Sequence, residues 1–391
     1  MKILWCGPFF SDLALKEKSA PNQAAAKWSR GLLRGLESVG CQIRVLDHCP
    51  EQRWPAGRVF WQDNSSRWFL DWFLCERVSY CNVWGVKDRW LCMIYARRVR
   101  KIVREWHPDV ILCYNSLHEF NVIAMREAKR LGVKCVPIIL DGDDPRRDDW
   151  KRLLKDNRFA DGVVFLSWWM FQNYPDKSVP VYHMDGGAEG WEGGERWNEE
   201  GKRGGQCCQG DSRFTLVHTG ALDYWRGLKF MQKVVRHCKR QDVRFVFCGK
   251  CDKTAMWAEF DNDPRVEVKG FLPNEKVDAI CRDADVFLNV REPEIGDNVV
   301  NYPSKVPNYL CWGKPVVSTW MDSFSPDYND VLEVCDNTPD GFVCVLDRVL
   351  AWDTARKASR FEKTRDWFLN HKPWNRQAKG LVNWIHTEVC Q

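Results

Sequence analysis

The sequence predicts an α/β protein with two domains, each a parallel sheet whose strands are joined by crossover helices. The chain has 391 residues, which is enough for two domains with separate hydrophobic cores. Short apolar segments of β type alternate with amphipathic helical segments along most of its length. The alternation stops in a Gly-, Glu- and Arg-rich stretch, residues 186–213, and then restarts. This stretch is therefore predicted to be a flexible connection between the domains.

The first predicted domain, residues 1–185, begins with a strand–helix–strand unit. A strand at Lys2–Cys6 is followed by a helix at Gln23–Ser38, which Gly40 ends before a second strand at 42–46. Near-continuous apolar runs, typical of strands buried on both faces of a parallel sheet, follow at 109–113, 134–140 and 162–166. The pattern indicates one open parallel sheet.

The second predicted domain, residues 214–365, repeats the same alternation. Strands are predicted at 215–219, 244–248, 266–268, 286–290 and 315–318, and helices at 228–239, 274–282 and 305–311. The tail, residues 366–391, has helical spacing of Trp367, Trp374, Leu381 and Ile385. This tail is predicted to form a helical segment that crosses back to the first domain.

Composition excludes several classes of protein. The 58 Lys and Arg residues nearly balance 53 Asp and Glu, so the net charge of +5 does not indicate nucleic-acid binding. Every apolar stretch is shorter than the ~20 residues that a membrane-spanning helix needs, and no cleavage site follows the first apolar run, so we expect a cytoplasmic protein. The 18 cysteines are scattered through apolar runs, which predicts small buried side chains and no metal site.

The region 53–104 allows two interpretations. It combines many tryptophans with a basic segment that contains Arg97, Arg98, Arg100, Lys101 and Arg104. A basic aromatic surface suits a peripheral contact with an anionic membrane, here the inner membrane face. The plainer interpretation, which we favour at this stage, is a helix that packs on the core and has a solvated basic side.

Two loops of the second domain are candidates for phosphate binding. Ligands of open α/β sheets bind at the carboxyl ends of the strands. Gly220 follows one strand, and Arg226 then precedes a helix whose free N–H groups suit an oxygen anion. Ser304 and Lys305 are predicted in the first turn of another helix, where a positive charge opposes the helix dipole unless an anion is bound. In contrast, the loop at Gly7 lacks the Gly-x-Gly-x-x-Gly pattern of nicotinamide-dependent enzymes.

Residues 215–319, which include both of these loops, resemble the nucleotide-sugar-binding half of the retaining family 4 glycosyltransferases of the GT-B fold. The strand end Val217-x-x-Gly220 is followed by Arg226-Gly227, where the family has Lys-Gly. Further matching segments are 247–250, 268–273, 284–287, 303–305 with Tyr309, and 313–317. The first half is similar to the family's acceptor domain more loosely, through residues 23–46 and 107–110.

The resemblance implies two Rossmann-like domains that face each other across a cleft. It also implies a glycosyltransferase of the hexosyltransferase type, which moves a sugar from a nucleoside diphosphate donor to an acceptor hydroxyl with retention of configuration. The acceptor would be a polysaccharide, a glycolipid or a lipid-linked glycan, and neither a metal nor another cofactor is expected. A nucleotide-sugar epimerase of the same architecture and a non-catalytic sugar-nucleotide binder remain open as alternatives.

The resemblance also assigns roles on the donor side. The residues that would hold the diphosphate are Gly220, Arg226, Ser304 and Lys305, and those that would lie along the nucleotide are Gly249, Lys250, Gly270, Phe271, Leu272 and Asn308. The chain departs from the family pattern at two positions. Ala221 aligns with an Arg, and Asn308 aligns with the second Glu of a glutamate pair, for whose first member Glu292 and Glu294 are only loosely placed.

An acidic loop in the first domain is the candidate for the acceptor side. Asp141 and, as second choice, Asp143 follow a strand where many relatives carry a His, and a carboxylate there would orient the acceptor hydroxyl and accept its proton. An ordinary Asp-Gly turn with capping carboxylates explains the loop equally well. Gly7, Asn115 and His118 lie at other predicted strand ends and are expected to line the same site.

Overall fold

The protein consists of two compact units. The structure is a computed structural model that describes residues 1–7, 9, 23–48, 52–61, 68–70, 73–116, 118–188, 190–192, 213–221, 223–251, 253–292 and 294–391. One unit comprises Met1–Gly187 with Trp374–Gln391, and the other Ala188–Pro373. Of the predicted connection, residues 189 and 193–212 lie outside the described residues.

The first unit is built on a sheet of mostly parallel strands. Its strands are β1 (Lys2–Cys6), β2 (Gln42–Asp47), β3 (Phe60–Trp61), β4 (Trp68–Leu70), β5 (Phe73–Arg77), β6 (Tyr80–Cys81), β7 (Val110–Tyr114), β8 (Lys134–Ile139), β9 (Val163–Phe165) and β10 (Val181–His183). The main sheet has the order β10-β9-β8-β7-β1-β2-β5-β4, in which only β4 is antiparallel to its neighbour, and β3 pairs separately with β6. The chain order reverses between β1 and β7, which makes this the point where ligands bind in such sheets.

Helices cover this sheet with their apolar faces. They are α1 (Gln23–Ser38), α2 (Lys87–Trp106), α3 (Glu119–Arg130), α4 (Lys151–Asn157) and α5 (Trp168–Asn173). Helix α2 buries Leu91, Tyr95, Val99 and Ile102 in a core shared with α3. Its arginines at 97, 100 and 104 are exposed, so the segment is a core-packed helix with a solvated basic side, and the membrane contact stays a prediction.

The second unit has a fully parallel sheet. Its strands are β11 (Phe214–Thr219), β12 (Val243–Cys248), β13 (Val266–Gly270), β14 (Val286–Asn289), β15 (Val316–Thr319) and β16 (Glu333–Cys335). Its helices are α6 (Leu228–His237), α7 (Lys253–Ala258), α8 (Asn274–Asp283), α9 (Val306–Leu310), α10 (Pro339–Leu350) and α11 (Thr354–His371). The order β13-β12-β11-β14-β15-β16 reverses between β11 and β14. The predicted α/β fold with two parallel sheets is thus confirmed.

The C-terminal helix packs on the first unit. Helix α12 (Trp374–Trp384) lies against α1, where a Cβ atom at Gly35 would stand 2.4 Å from the carbonyl oxygen of Trp374. Only glycine permits this approach. The sequence places the start of the tail at residue 366, whereas α11 continues to His371 within the second unit. Pro373 then separates the two helices, because proline disrupts a continuing helix.

Two expectations from composition concern cysteine and the membrane. None of the fifteen cysteines in the described residues forms a disulfide bond, and ten of them are buried, as expected for small apolar side chains. In the same part of the chain, none of the helices combines the length and the apolar character needed to cross a bilayer.

Candidate active site

Three glycine turns lie side by side at the carboxyl edge of the second sheet. The N–H of Gly220 donates to the carbonyl of Cys248 at 2.7 Å, and the N–H of Gly249 donates to that of Gly270 at 3.0 Å. A Cβ atom at Gly249 would lie 2.1 Å from the carbonyl oxygen of Gly220, so the two turns touch. Two of the predicted nucleotide residues, Gly249 and Gly270, therefore lie together with Gly220, which is predicted to hold the diphosphate. Their neighbours Lys250 and Phe271 are exposed, and Leu272 is partly buried.

Tyr309 fixes the end of β11 to helix α9. Its hydroxyl accepts a hydrogen bond from the N–H of Thr219 at 2.8 Å, and its ring stacks on Phe287 with centroids 4.5 Å apart. Burial raises the pKa of Tyr309, so the hydroxyl stays protonated. The turn that carries Lys305 is thereby held beside the strand end that carries Gly220.

Lys305 points at the switch point between β11 and β14. Its Nζ lies 3.2 Å from Nε2 and 3.4 Å from Nδ1 of His218, a fully buried side chain of β11. The carbonyl of Leu288 on β14 lies 3.1 Å from the same Nδ1. Burial, followed by the charge of Lys305, lowers the pKa of His218 well below its ordinary value. A neutral imidazole does not balance the charge of the lysine.

The charge of Lys305 has no counterion in the described part of the chain. The pKa of Lys305 is lowered well below its ordinary value, first by burial and then by the positive charges of Arg291 and Arg226. No described carboxylate lies within ion-pair distance of its Nζ. Three cationic side chains therefore lie close enough to interact at the switch point of the second sheet, and a bound anion would give Lys305 the counterion that it lacks among the described residues.

Helix α6 begins at the same place. Asp223 accepts a hydrogen bond from the N–H of Arg226 at 3.0 Å and also pairs with the Arg226 guanidinium. Gly227 then adopts a φ of 91°, and a Cβ atom there would lie 3.1 Å from the carbonyl oxygen of Val290. The N-terminus of α6 thus adjoins the residue that follows β14, and the positive end of its helix dipole adds positive potential there.

Arg291 and His218 were not predicted from the sequence as site residues. Arg291 lies two residues after the end of β14, where its N–H donates to Thr319 Oγ1 at 3.0 Å and its guanidinium lies 3.4 Å from Asn298 Oδ1. The rule that ligands bind at strand ends was a sufficient signal for Arg291. His218 was visible as a lone histidine within an apolar strand, but its contact with Lys305 joins residues 87 positions apart.

Lys305 does not lie in the first turn of a helix, where the sequence predicted it. The predicted helix is only five residues long, and Lys305 is its N-cap residue instead of lying in its first turn. Ser304 lies in the preceding turn, is exposed, and accepts a hydrogen bond from the Asn308 side chain at 3.2 Å. The concentration of cations, and not the dipole of α9, is the reason to expect an anion.

The two glutamates of the loop after β14 differ from each other. Glu294 is exposed, whereas Glu292 has a buried Oε2 atom without a hydrogen-bond partner in the described residues. Burial raises the pKa of Glu292, and the charge of Lys233 opposes this shift. Of the two glutamates, Glu292 is therefore the better placed to accept a hydrogen bond from a sugar hydroxyl group.

In the first unit, the loop after β1 is fixed at the switch point between β1 and β7. A Cβ atom at Gly7 would lie 2.3 Å from Cβ of Tyr114, so only glycine fits. The buried pair of Asp47 and Arg77 holds the next part of the loop, because Asp47 accepts from the N–H of Phe9 at 3.2 Å and Arg77 donates to its carbonyl at 2.7 Å.

Asn115 brings the loop after β7 to the acidic loop after β8. It adopts a φ of 61°, and its side-chain amide donates to the carbonyl of Asp141 at 3.1 Å. The charge of Asp141 adds to the effect of burial in raising the pKa of Tyr114, the neighbour of Gly7. Three predicted acceptor-side residues, Gly7, Asn115 and Asp141, therefore gather at one edge of the sheet.

Asp143 and His118 are engaged elsewhere. Asp143 forms an ion pair with Arg152 at 2.5 Å, and His118 stacks on Phe120 with centroids 5.1 Å apart. A cavity of about 230 Å³ lies beside the acidic loop, lined among others by Asp143, Arg152 and Met170. Of the two carboxylates proposed from the sequence, Asp141 is the one that adjoins the switch point.

The cation cluster lies within a recognisable domain. Residues 213–351 match the family model "Glycosyl transferases group 1". The matched segment contains Arg226, Arg291 and Lys305 together with the three glycine turns. No curated protein sequence matches the chain.

Solved structures resemble the whole chain. Sucrose-phosphate synthase from Thermosynechococcus elongatus has a TM-score of 0.65 at 12% identity, and 98% of each chain is covered. Anabaena HepE in complex with UDP has a TM-score of 0.66 at 11% identity, covering 99% of this chain and 100% of that one. A trehalose-phosphate synthase from Burkholderia xenovorans in complex with glucose-6-phosphate has a TM-score of 0.66 at 11% identity, with 98% and 99% covered.

These likenesses establish the fold, which is that of the GT-B glycosyltransferases. Combined with the glycosyl transferase group 1 domain, they indicate that the protein is a glycosyltransferase. The predicted enzyme class and fold class are confirmed at this level. The roles of the individual site residues stay predictions.

Binding of a nucleoside diphosphate should be coupled to proton uptake. The pKa of Lys305 is lowered in the free protein. A diphosphate bound beside it would favour the charged ammonium and raise this pKa again. At a pH between the pKa of Lys305 in the free protein and its pKa in the complex, binding of the diphosphate takes up a fraction of a proton. The affinity for the diphosphate therefore falls as the pH rises through this range. Calorimetry in buffers of different ionisation enthalpy measures the uptake. Lys305→Arg, which cannot lose its charge, should abolish it.

Proposed function

We propose that this glycosyltransferase moves a sugar from a nucleoside diphosphate sugar to an acceptor hydroxyl, with retention of configuration. The observation that carries the proposal is the convergence of Lys305, Arg291 and Arg226 at the switch point of the second sheet, beside the N-terminus of α6. Two phosphate groups would supply the counter-charge that Lys305 lacks among the described residues.

The same residues suit the departure of the leaving group. As the bond between sugar and phosphate breaks, negative charge grows on the diphosphate oxygens, and preplaced cations stabilise that charge in the transition state. Lys305 and the two arginines would act in this way without a metal ion. The exposed ring of Phe271, next to the glycine turns, offers a face for the nucleotide base. We propose UDP as the first nucleotide to test, because the similar Anabaena protein was solved with it.

On the acceptor side, Asp141 is the proposed catalytic residue. Its carboxylate would orient the acceptor hydroxyl and accept its proton, or stabilise positive charge on the sugar. Gly7 and Asn115 would shape the surface on which the acceptor binds. The proposed acceptors are polysaccharides, glycolipids and lipid-linked glycans. Glucose-6-phosphate is a further acceptor to test, because the similar Burkholderia synthase was solved with it.

A non-catalytic sugar-nucleotide binder is the second candidate. Asn308 stands where the family pattern has a glutamate, and its side chain is occupied by the hydrogen bond to Ser304. Ala221 likewise offers no charge to a phosphate. This candidate predicts donor binding without any transfer or hydrolysis.

A panel of nucleoside diphosphates tests the proposal first. A ligand that binds only the native state stabilises it by about 2.7 kcal/mol at a hundredfold excess over Kd, so thermal unfolding should identify one preferred base. Labelled sugar donors of that base should then release nucleoside diphosphate only when an acceptor is present. Conversion of the donor without an acceptor would identify an epimerase, and binding without turnover a non-catalytic protein. No stabilisation by any nucleoside diphosphate would overturn the proposed donor site.

A further inference from the structure

Exposed apolar side chains are concentrated in one part of the first unit. Among the described residues, eleven large apolar side chains are exposed, and six of these lie between positions 54 and 93. They are Trp54, Val59, Phe60, Trp84, Val86 and Met93. Trp84 has 76% of its surface in solvent and Trp54 has 51%, whereas the apolar side chains at positions 3–6 of β1 and 110–113 of β7 are buried. A cluster of this kind marks an interaction surface.

A buried asparagine holds these residues in position. The side chain of Asn82 donates to the carbonyls of Gln52 at 2.6 Å and Arg58 at 2.9 Å. The backbone of Asn82 makes two more hydrogen bonds. Its backbone carbonyl accepts from the N–H of Trp54 at 3.2 Å, and its backbone N–H donates to the carbonyl of Val59 at 2.7 Å. The segments on both sides of β3 and β6 thus form one hydrogen-bonded frame, so the exposure of the aromatic side chains is built into the fold.

The surroundings of this cluster are strongly basic. Residues 52–61 and 80–106 contain nine Lys and Arg residues and only two Asp and Glu residues, so this part alone exceeds the net charge of +5 of the whole chain. The remainder of the protein is therefore slightly acidic. Positive charge is concentrated where the apolar side chains are exposed.

Helix α2 continues the surface as a stripe. Val86, Arg89, Met93, Arg97 and Arg104 recur at helical spacing and are exposed. Within the described residues, none of these three arginines has a carboxylate partner at ion-pair distance. The opposite face of α2 is buried in the core. The stripe therefore presents free guanidinium groups with an apolar side chain between them.

We propose that this aromatic and basic face, formed by the six apolar side chains and by Arg89, Arg97 and Arg104, binds the surface of an anionic lipid bilayer. Trp84 and Trp54 would enter the interface between headgroups and acyl chains, which suits an indole ring. The arginines would contact lipid phosphates while their aliphatic stems lie on apolar surface. Val59, Val86 and Met93 have no flat ring for stacking on a base, which favours a bilayer over a nucleic acid.

Vesicle co-sedimentation of the full chain tests the proposal. We expect binding to vesicles of phosphatidylcholine and phosphatidylglycerol, weaker binding to phosphatidylcholine alone, and a decrease with rising salt. The double variant Trp54→Ala with Trp84→Ala and the triple variant Arg89→Gln, Arg97→Gln and Arg104→Gln should each bind the anionic vesicles about tenfold more weakly or worse. Thermal unfolding verifies that the variants are folded, which we expect because these side chains are exposed.

Matched controls remove the same residue types elsewhere. Trp257→Ala takes away another exposed indole, and Lys276→Gln with Arg356→Gln and Arg376→Gln takes away three exposed cations. Both controls should bind vesicles as the unaltered protein does. Three results would overturn the proposal. They are equal binding to neutral and anionic vesicles, a loss of vesicle binding in the control variants as large as in the test variants, and displacement of the vesicles by a single-stranded oligonucleotide. No sugar transfer is measured, so the outcome is independent of the proposed donor and acceptor.

Discussion

Lys305→Met should lower sugar transfer by about 100- to 1,000-fold, because it removes a positive charge from the oxygens on which charge develops. The affinity for the nucleoside diphosphate should fall by about tenfold, which corresponds to roughly 1.4 kcal/mol for one lost charged hydrogen bond. Lys305→Arg should recover part of both, since it keeps the charge. Calorimetric titration measures the affinity, and release of nucleoside diphosphate from the sugar donor measures the transfer.

The free protein should not lose stability in Lys305→Met. The unaltered side chain is a desolvated cation without a carboxylate partner, and methionine fills a similar volume without that cost. Lys276→Met, an exposed lysine on α8, is the matched control and should leave affinity and transfer unchanged. Unchanged nucleotide affinity in Lys305→Met would mean that the diphosphate does not bind at the switch point of the second sheet.

Most strands could be predicted because apolar runs are the direct signature of a buried parallel sheet. Strand β5 is the informative exception, since its segment contains Glu76 and Arg77. Both side chains are buried, and Arg77 pairs with Asp47 on the neighbouring strand β2 at 3.5 Å. The charged residues of a buried ion pair interrupt the apolar pattern of a strand. The partner that balances each buried charge lies on another strand, so only the folded structure shows it. The sequence therefore indicated an irregular region here.

Some residues of the candidate site could likewise be predicted from the sequence, and others could not. Arg226 and Lys305 follow local patterns of glycine, proline and strand ends, so the sequence alone points to them. The neutral His218 and the added charge of Arg291 depend on contacts between distant segments. On the acceptor side, the sequence ranked Asp141 above Asp143 without a geometric reason. The ion pair between Asp143 and Arg152, and the contact between Asn115 and the Asp141 carbonyl, supply that reason.

Asp141→Asn should separate binding from catalysis. The amide keeps the size of the carboxylate and removes its charge and basicity, so turnover should fall by about 100- to 10,000-fold while nucleotide affinity stays the same. The carbonyl of residue 141, which accepts the hydrogen bond from Asn115, is retained in the variant, and the loop should keep its conformation. Single-turnover transfer from a saturating donor measures the catalytic step.

Asp149→Asn is the control that isolates the role of Asp141. Asp149 is exposed in the same acidic loop and has a φ of 55°, a conformation that asparagine adopts as readily as aspartate. This substitution removes the same charge from the same loop and should leave turnover close to that of the unaltered protein. If both variants lose turnover equally, the loop acts through its general negative charge. If neither does, the proton of the acceptor hydroxyl goes to another group, and Asp141 has no part in the reaction.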